Sequence, residues 1–344
     1  MKNHQKYILL ISIHGLIRGQ ELELGRDADT GGQTKYVVEL TQALSQHPEV
    51  KQVDLMTRLL IDSQISDDYS QPVEKLNDKA NIIRIPFITN EYMFKEELWD
   101  YLDNFVDNAI IYLKNQERLP DVIHSHYADA GYVGLRLSNQ LEIPLIHTGH
   151  SLGRSKRKRL LASGVSREAI EKRYNMTRRI NAEEDTLSSA VMVITSTTQE
   201  IIEQYAQYDY YDPQQMCVIP PGIDVTQFYP PVSNEWESNA FQIISRFLKE
   251  PHKRIILAIS RLDQRKNIPT LIEAFGQSSE LQQQANLVII PGIRYDVRDL
   301  DSNVQEVFID LLFTIDVYDL YGKVAYPKEL SPEDTRVIYR LAAL

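Results

Sequence analysis

The sequence of 344 residues contains a single cysteine, Cys217, so the chain can form no internal disulfide. It also lacks an apolar run of the roughly 20 residues that a membrane-spanning helix needs. The apolar run 7–13 stops at His14, and no small-residue cleavage site follows it, as one would in a signal peptide. We therefore expect a cytoplasmic protein.

Positive charge is in deficit. The chain has 37 Lys and Arg against 48 Asp and Glu, which gives a net charge of -11. A chain this acidic has no overall attraction for nucleic acid or for an anionic membrane, so we expect neither as a partner. A site for a phosphorylated ligand must then be a local cluster of cations.

Several familiar motifs are absent from the sequence. It has no G-x-G-x-x-G dinucleotide fingerprint, no P-loop and no G-x-S-x-G nucleophile elbow. These absences leave NAD binding, P-loop chemistry and the serine-hydrolase mechanism without support.

Short apolar runs alternate with longer amphipathic stretches. The runs predict strands at residues 7–13, 52–57, 81–85, 122–125, 145–148, 191–195, 216–219, 255–259, 287–290 and 324–326. The stretches predict helices at 33–44, 95–114, 130–139, 167–188, 198–205, 268–276, 305–320 and 332–341. Strands that are apolar throughout are typical of parallel sheets, so we expect an α/β fold of doubly wound, Rossmann-like sheets.

A break in this pattern predicts two domains. Pro220-Pro221-Gly222 ends one strand, and Pro230-Pro231 opens a polar stretch before the alternation resumes. We expect a first domain over residues 1–225 and a smaller one over 240–344. The second has three strand–helix units and stops inside a helical pattern, so we expect an incomplete sheet, a missing C-terminal segment and lower stability there.

The first candidate ligand site is the segment 25–34, GRDADTGGQT, which opens a helix near Gln33. Gly31 and Gly32 let a ligand approach the backbone, and the start of the helix offers N–H groups to phosphate or sugar oxygens. A tight turn without a ligand is the alternative interpretation.

The second candidate follows the predicted strand 145–148. His150 and Ser151 lie just beyond its carboxyl end, where open α/β sheets bind ligands. The pair is placed to reach a bound sugar, and a purely structural histidine fits the pattern equally well.

The third candidate is the densest positive cluster of the chain, formed by the run 156–159 (Lys-Arg-Lys-Arg) with Arg173, Arg178 and Arg179. Arginine binds phosphate through two parallel hydrogen bonds, so one interpretation is a phosphosugar site. The other is a solvated helix face.

The fourth candidate, Arg261, Arg265 and Lys266, follows the predicted strand 255–259. If the two sheets face one another, two of these cations can hold a diphosphate and neutralise the charge that builds on it as a glycosidic bond breaks. The alternative is a surface loop with three exposed cations.

The acidic side chains give weaker indications of a functional site than these cations. Glu183 and Glu184 lie in a helical stretch, and we expect them to face solvent. A metal site is disfavoured, because strand alternation and loop position separate its four conceivable ligands, Asp121, His124, His126 and Asp129. We expect no bound metal.

Together these segments resemble the sucrose-phosphate synthases of bacteria and plants. The resembling stretches are SIHGLIRG (12–19), LGRDADTGGQTKY (24–36), HTGHSLG (147–153), VIPPG (218–222) and Ser260-Arg261 with Arg265-Lys266-Asn267. The resemblance runs over nearly the whole chain.

The resemblance implies a GT-B fold of two facing Rossmann-like domains with the active site in the cleft. It implies transfer of glucose from UDP-glucose to fructose 6-phosphate, which gives sucrose 6-phosphate with retained anomeric configuration. UDP-glucose is then a co-substrate, and no tightly bound cofactor or protein nucleophile is expected. A sucrose-phosphate phosphatase is an expected partner.

The resemblance also implies residue roles. Gly31, Gly32 and Gln33 match positions that contact donor and acceptor, and His150 matches a position near the reacting sugar. The positions that surround the acceptor and its phosphate are matched by Lys95, Tyr127, Ser151, Lys156, Arg178 and Arg179. Arg261 and Lys266 match the pair that grips the diphosphate.

The chain departs from the family pattern where it ends. Family members continue with a strand, a Glu-containing Pro-Phe-Gly loop and a helix, which bind the ribose and the transferring glucose. The loop 291–295 also differs from the usual Gly-Asn-Arg form. Two alternatives therefore stay open: a non-catalytic phosphosugar-binding module or inactive fragment, and a sucrose synthase-like transferase that uses free fructose.

Overall fold

The computed structural model describes residues 5–344 except Gly25, Ser233, Ile293, Tyr295 and Asp301. Parts of the predicted ligand segment 25–34 and of the loop 291–295 thus lie outside the described residues. The chain forms two compact units, a first unit over Met1–Pro221 and a second unit over Gly222–Leu344.

The first unit is built on an eight-stranded sheet. Its strands are β1 (Lys6–Ile11), β2 (Val50–Arg58), β3 (Val73–Asn77), β4 (Ala80–Ile85), β5 (Val122–His126), β6 (Leu145–Thr148), β7 (Met192–Thr195) and β8 (Met216–Val218). They lie in the order β3-β4-β2-β1-β5-β6-β7-β8. Every neighbouring pair is parallel except β3 with β4.

Helices connect these strands and cover the sheet. They are α1 (Gly32–Gln46), α2 (Leu102–Lys114), α3 (Ala128–Leu141), α4 (Gly153–Ala162), α5 (Arg167–Tyr174), α6 (Met176–Ser189) and α7 (Thr198–Glu203). Both faces of β1 are buried: Leu9 and Ile11 belong to one apolar cluster and Leu10 to another. Because successive side chains point to opposite faces, a strand covered on both sides must be apolar throughout.

The strand order reverses at β1. The chain adds β2 on one side of β1 and β5 on the other. In an open α/β sheet this reversal leaves a crevice beyond the carboxyl ends of the two strands, where ligands bind.

The second unit has a three-stranded parallel sheet in the order β11-β10-β9. Its strands are β9 (Arg254–Ile259), β10 (Ala285–Ile290) and β11 (Val324–Ala325), and its helices are α8 (Asn239–Ser245), α9 (Ile268–Gln277), α10 (Ser279–Gln284), α11 (Ser302–Val317) and α12 (Pro332–Ala342). The central strand β10 is buried along its whole length. Its side chains belong to two apolar clusters: one contains Val288 and Ile290, and the other contains Leu287 and Ile289.

A buried ion pair holds α12 in place. Arg340 of α12 pairs with Glu235, and both side chains are almost fully buried. The Arg340 guanidinium also lies 4.5 Å from the ring centroid of Tyr229. These contacts fasten the segment before α8 to the last helix of the unit.

The predicted α/β class is confirmed, and each predicted strand lies within about two residues of an observed one. Strand β3 was missed because its half-exposed, polar sequence VEKLN lacks the apolar pattern. The single helix predicted over 167–188 is wrong, since Asn175 in the left-handed region (φ 46°) separates α5 from α6. The helix predicted from residue 95 begins at Leu102, after a short 3-10 turn.

Across the described residues, no helix has the length and apolar character needed to cross a membrane.

Candidate functional site

The candidate site lies in the first unit, at the carboxyl ends of β1, β5 and β6. Residues 12–15 follow β1, Tyr127 links β5 to α3, and residues 149–152 link β6 to α4. Helix α1 begins nearby, after the loop that follows β1. Because neighbouring parallel strands end at the same edge, these loops line the crevice at the reversal of strand order.

His14 and Asp129 form the floor of the site. His14 Nδ1 lies 2.7 Å from Asp129 Oδ2, and both side chains are buried. Tyr127 packs its ring at 69° to that of His14, with 4.6 Å between centroids. The backbone of Tyr127 is held at φ 79°, which a residue other than glycine adopts only when its surroundings enforce it. Burial raises the pKa of Tyr127, so its hydroxyl stays neutral.

In the sequence, His14 lies in a resembling stretch without a predicted role, and Asp129 enters only as a conceivable metal ligand. The pair joins residues 115 positions apart. Their positions directly beyond two predicted parallel strands were a signal that could have connected them.

A row of neutral histidines extends from the sheet toward the rim. His124 Nε2 lies 2.8 Å from Thr148 Oγ1, and His126 Nδ1 lies 3.0 Å from His150 Nε2. Burial lowers the pKa of His124 to about 3 and holds the pKa of His126 well below its ordinary value. His150 is exposed as a residue, but its ring packs against Tyr36 and His126, and this loss of solvent lowers the pKa of His150 as well.

The hydrogen bond between His126 and His150 couples the tautomers of the two rings. His126 Nε2 is buried and has no hydrogen-bond partner among the described residues. A buried acceptor without a partner is tolerated better than a buried N–H without one, which favours a proton on His126 Nδ1. In that arrangement the N–H donates to His150 Nε2 and the proton of His150 lies on Nδ1, which makes His150 a hydrogen-bond donor at the rim, suited to a sugar hydroxyl.

Arg179 brings a buried positive charge to the same loops. Its Nε donates to Glu183 Oε1 at 2.9 Å, and its Nη2 donates to the backbone oxygen of Ser151 at 2.6 Å. The guanidinium lies 4.6 Å from the ring centroid of Tyr127. Arg179 therefore ties α6 to the loop after β6 and to the residue after β5.

The expectation that Glu183 and Glu184 face solvent is wrong, since both are buried. Glu183 accepts from Arg179 and from the backbone N–H of Gly153, which starts α4. Glu184 pairs with Arg154. The spacing of Arg179 and Glu183, four residues apart in a predicted helix, was the available signal for a buried pair.

Lys156 and Lys95 complete a cluster of cations with Arg179, which we call the cation cluster. The Lys156 nitrogen lies 3.7 Å from the ring centroid of Tyr174. Burial, followed by the nearby charges of Arg179 and Lys95, lowers the pKa of Lys156 to about 8. Lys95 binds the buried carboxylate of Asp29 through both its backbone N–H and its ammonium group.

The start of α1 is open to a ligand. A Cβ atom added to Gly31 or Gly32 would meet nothing within 4 Å, so the fold itself does not require glycine there. Among the described residues no side chain caps this helix end, and its first turn carries no acidic residue. The Gln33 side chain donates to Ser12 Oγ at 3.2 Å and to the backbone oxygen of His126 at 3.4 Å. The N–H groups at the start of a helix suit anionic or sugar oxygens.

Two predicted site residues differ from the rest. Arg178 is partly exposed and donates to Asp100 and to the backbone oxygen of Trp99, and its contacts include no member of the cation cluster. Ser151 is exposed, and its oxygens accept from Arg179.

The second unit presents its cations differently. Arg261 and Lys266 lie on the loop after β9, and both are exposed. In the described part of the chain neither side chain forms an ion pair, whereas Arg265 between them pairs with Asp263. That pairing, chiefly the side-chain hydrogen bond from Arg265, lowers the pKa of Asp263 to about 2.

The four conceivable metal ligands serve separate partners. Asp121 accepts from Arg118 and from the backbone of Tyr7 before β5 begins, whereas His124 and Asp129 take part in the contacts given above. The described residues contain no group of three His, Cys, Asp or Glu side chains that could hold a metal ion.

These features define a class of protein. A largely parallel sheet with a polar crevice where its strand order reverses, followed by a second, partial Rossmann-like unit, is typical of GT-B glycosyltransferases, and the predicted fold class is confirmed. Residues 5–230 match the family described as "Sucrose synthase first GT-B domain". The chain belongs to this family.

Curated relatives narrow the likeness to sucrose-phosphate synthases. The chain is 41% identical to a probable sucrose-phosphate synthase of Oryza sativa subsp. indica, over 99% of this chain and 37% of the relative. It is 40% identical to the sucrose-phosphate synthase of Zea mays, over 99% of this chain and 38% of that protein. The chain thus spans less than two fifths of the length of these relatives.

Solved structures show the same fold. The sucrose-phosphate synthase of Thermosynechococcus elongatus superposes with a TM-score of 0.68 at 27% identity, over 98% of this chain and 74% of that one. The catalytic domain of starch synthase IV from Arabidopsis thaliana, bound to ADP and acarbose, gives a TM-score of 0.62 at 14% identity, over 98% of this chain and 76% of that one. The latter likeness concerns the fold alone.

Proposed function

We propose that the chain takes part in the transfer of glucose from UDP-glucose to fructose 6-phosphate, with retention, giving sucrose 6-phosphate. The observation that carries this proposal is the cation cluster of Lys95, Lys156 and Arg179 beside the open start of α1. In so acidic a chain, this cluster lies in a crevice typical of ligand sites.

The cluster suits a phosphorylated acceptor. Lys156 and Arg179 would hold the phosphate, since a charge-assisted hydrogen bond to phosphate is about twice as strong as a neutral one. Arg179 is already oriented by Glu183, so little conformational freedom is lost when the ligand binds. Gly31 and Gly32 leave room for the sugar to touch the backbone of α1.

The donor would use different groups. Arg261 and Lys266, exposed and without an ion pair among the described residues, have their charge available for a diphosphate. Cations on the leaving diphosphate stabilise the negative charge that develops as the glycosidic bond breaks. The neutral N–H of His150 would donate to a hydroxyl of the transferring glucose.

A mechanism without a protein nucleophile is supported by the carboxylates of the first unit's site. Asp29 is held by Lys95, Asp129 by His14 and Glu183 by Arg179. Each of these carboxylates already has a hydrogen-bonded or charged partner, so none is free to attack without giving that partner up. We propose that the leaving diphosphate takes the proton from the acceptor hydroxyl.

The test is release of UDP from UDP-glucose, measured with fructose 6-phosphate and with free fructose at equal concentration. We expect release that depends on fructose 6-phosphate and that falls in Lys156→Gln. The matched control Lys51→Gln removes the same charge at an exposed position on β2 and should leave release unchanged. Equal release with free fructose would favour the sucrose synthase-like alternative, and no release with either sugar would contradict the proposed activity of this chain.

A further inference from the structure

Helix α11 of the second unit carries large apolar side chains on two sides. Its inner side, with Leu311 and Ile315, belongs to an apolar cluster that also contains side chains of β10 and α9. A second set lies at i, i+3, i+4 and i+8 on the other side and is exposed: Ile309, Leu312, Phe313 and Val317. We call this set the outer face of α11. A surface helix normally carries charged and polar residues there, so this composition indicates a function beyond packing of the unit itself.

The outer face has the size and spacing of a contact between helices. Phe313 is 68% exposed and Ile309 is 59% exposed. Together the four side chains present apolar surface on the order of 300–600 Å², and a patch of that size on a monomer is often functional. With a rise of about 1.5 Å per residue, the stripe is about 12 Å long, which is two turns of a helix. Anchors spaced in this way are those through which an amphipathic helix contacts its partner.

The charge around the outer face is of one sign. Glu306 lies three residues before Ile309, Asp316 lies three residues after Phe313, and Asp310 follows Ile309 directly. Residues three or four apart are neighbours on a helix surface, so these carboxylates border the apolar stripe. All three are exposed, and residues 302–317 include no lysine or arginine. The surface is therefore apolar and anionic at the same time.

The rest of the second unit leaves this charge in place. Glu306 and Asp310 form no ion pair with any described residue. Asp316 accepts from the hydroxyl of Tyr321, and this hydrogen bond raises the pKa of Tyr321, so the partner of Asp316 is neutral. Lys323, the next basic residue along the chain, donates to Gln282 Oε1 at 2.8 Å. The carboxylates of the outer face thus keep their charge for a partner.

This charge distinguishes among the possible occupants. Two copies of the chain, each with a net charge of -11, would bring the carboxylates of two outer faces together, and their repulsion disfavours self-association. An anionic bilayer attracts basic segments and is disfavoured for the same reason. A helix with apolar residues on one side and lysine or arginine at the margins complements both properties of the surface.

We propose that the outer face of α11 binds a cationic, amphipathic helix of a partner protein. The apolar side of that helix covers Ile309 and Phe313, and its cations pair with Glu306 and Asp310. The outer face takes no part in the glucosyl transfer proposed above, so either proposal can fail without the other.

The test is fluorescence anisotropy of a labelled synthetic peptide, LKKLLKLLKKLLKL, titrated with the full chain at constant ionic strength. A comparison peptide has glutamate in place of every lysine. We expect saturable binding of the lysine peptide and binding of the glutamate peptide that is at least about tenfold weaker, because only the first complements the carboxylates. Equal binding of the two peptides would overturn the proposal, and so would the absence of saturable binding of the lysine peptide up to about 1 mM.

A double variant tests the apolar part of the surface. Ile309→Ser/Phe313→Ser removes two of its anchors, and the control Ile111→Ser/Ile202→Ser removes two large apolar side chains from exposed positions on α2 and α7. We expect the first to weaken binding of the lysine peptide roughly tenfold or more and the control to change it less than about twofold. Thermal melting verifies that both variants stay folded. Equal weakening by the two would overturn the proposal.

A second double variant tests the charge and leaves the apolar stripe intact. Glu306→Gln/Asp310→Asn should weaken binding severalfold and make it less dependent on salt. Glu49→Gln/Asp107→Asn removes the same charge from exposed positions of the first unit and should leave both unchanged. The same loss in both variants would show that the peptide responds to net charge alone, which contradicts a defined surface.

Two further measurements address the other occupants. Sedimentation equilibrium of the parent chain should show a monomer, and a dimer that dissociates in Ile309→Ser/Phe313→Ser would overturn the proposal in favour of a second copy. Vesicles of phosphatidylglycerol should leave the chain unbound, and binding that the same variant abolishes would overturn it in favour of a membrane.

Discussion

The two units hold the cations of their proposed sites in opposite ways. In the first unit, Arg179 is buried, paired with Glu183 and packed on Tyr127. In the second unit, Arg261 and Lys266 are exposed and, as far as the chain is described, without an ion pair. A buried, paired cation is positioned in advance, but the fold depends on its partner. An exposed cation leaves the fold independent of it and keeps its charge for a ligand.

The largest expected effect follows from breaking the buried pair of Arg179 and Glu183. Arg179→Gln leaves the carboxylate of Glu183 buried without its cation, and we expect a loss of about 3–5 kcal/mol of unfolding free energy. Arg265→Gln removes the arginine of an exposed pair and should cost less than about 1 kcal/mol. Urea unfolding checks both. Trp99 and Trp236 are the only tryptophans of the sequence, so a Trp236→Phe background reports on the first unit for Arg179→Gln, and a Trp99→Phe background reports on the second unit for Arg265→Gln. Equal losses for the two variants would contradict the comparison.

The next effect concerns rate rather than stability. Lys266→Gln removes a cation proposed to stabilise the leaving diphosphate, and we expect release of UDP to slow by about 10²–10³-fold. Its unfolding free energy should change by less than about 0.5 kcal/mol, because the side chain is exposed. Arg265→Gln is the control on the same loop, and we expect it to retain most of the rate. If both variants slow release alike, the loop acts through its general charge.

Two glycines of the first unit differ in the space that surrounds them. At Gly15 an added Cβ would lie 2.6 Å from the backbone oxygen of Asp29, and φ is +80°. We therefore expect Gly15→Ala to destabilise the protein by about 1–3 kcal/mol. At Gly31 the Cβ meets nothing, so Gly31→Ala should leave stability intact and weaken binding of fructose 6-phosphate roughly tenfold through a clash with the ligand. Thermal melting and calorimetry measure the two effects, and normal binding by Gly31→Ala would exclude close approach of the sugar there.

The smallest expected effect is a pH dependence. The pKa of Lys156 is lowered to about 8 from its ordinary 10.5, so the folded chain loses this proton first. Unfolding then takes up a proton between these values, and this residue adds stability as pH rises through that window. The phosphate ligand is already a dianion above its own pKa of about 6, so loss of the ammonium charge should weaken fructose 6-phosphate binding above pH 8.

Lys156→Arg gives the control for that pH dependence, because arginine keeps its charge throughout this range. Calorimetry between pH 7 and about 9.5 should show a decline for the parent chain and a flat profile for the variant. A decline in both would place the titrating group elsewhere.

The sequence predicted the sheets better than the site. Strands such as β1 and β10 are apolar along most of their length, so a local pattern revealed them. The break at Asn175 left no such pattern, because it depends on a backbone conformation rather than on side-chain periodicity. The pairing of His14 with Asp129 joins distant parts of the chain, so only the order of the strands could have suggested it.

Charge was the hardest feature to predict. In the sequence the run 156–159 looks like a single cluster, whereas α4 places the Lys156 nitrogen over the ring of Tyr174 and presents Arg157 on a different side of the helix. Glu183 was expected in solvent, because helical position alone does not show which face packs on a neighbour. Which side of a helix each cation faces depends on how the helix packs against its neighbours.

The most direct test of the account is calorimetric titration of the chain with fructose 6-phosphate and, separately, with fructose. The account predicts binding of fructose 6-phosphate that weakens roughly tenfold or more when Lys156→Gln is added, and far weaker binding of fructose. Equal affinity for the two sugars, unchanged by Lys156→Gln, would contradict the claim that the first unit's cations hold a sugar phosphate.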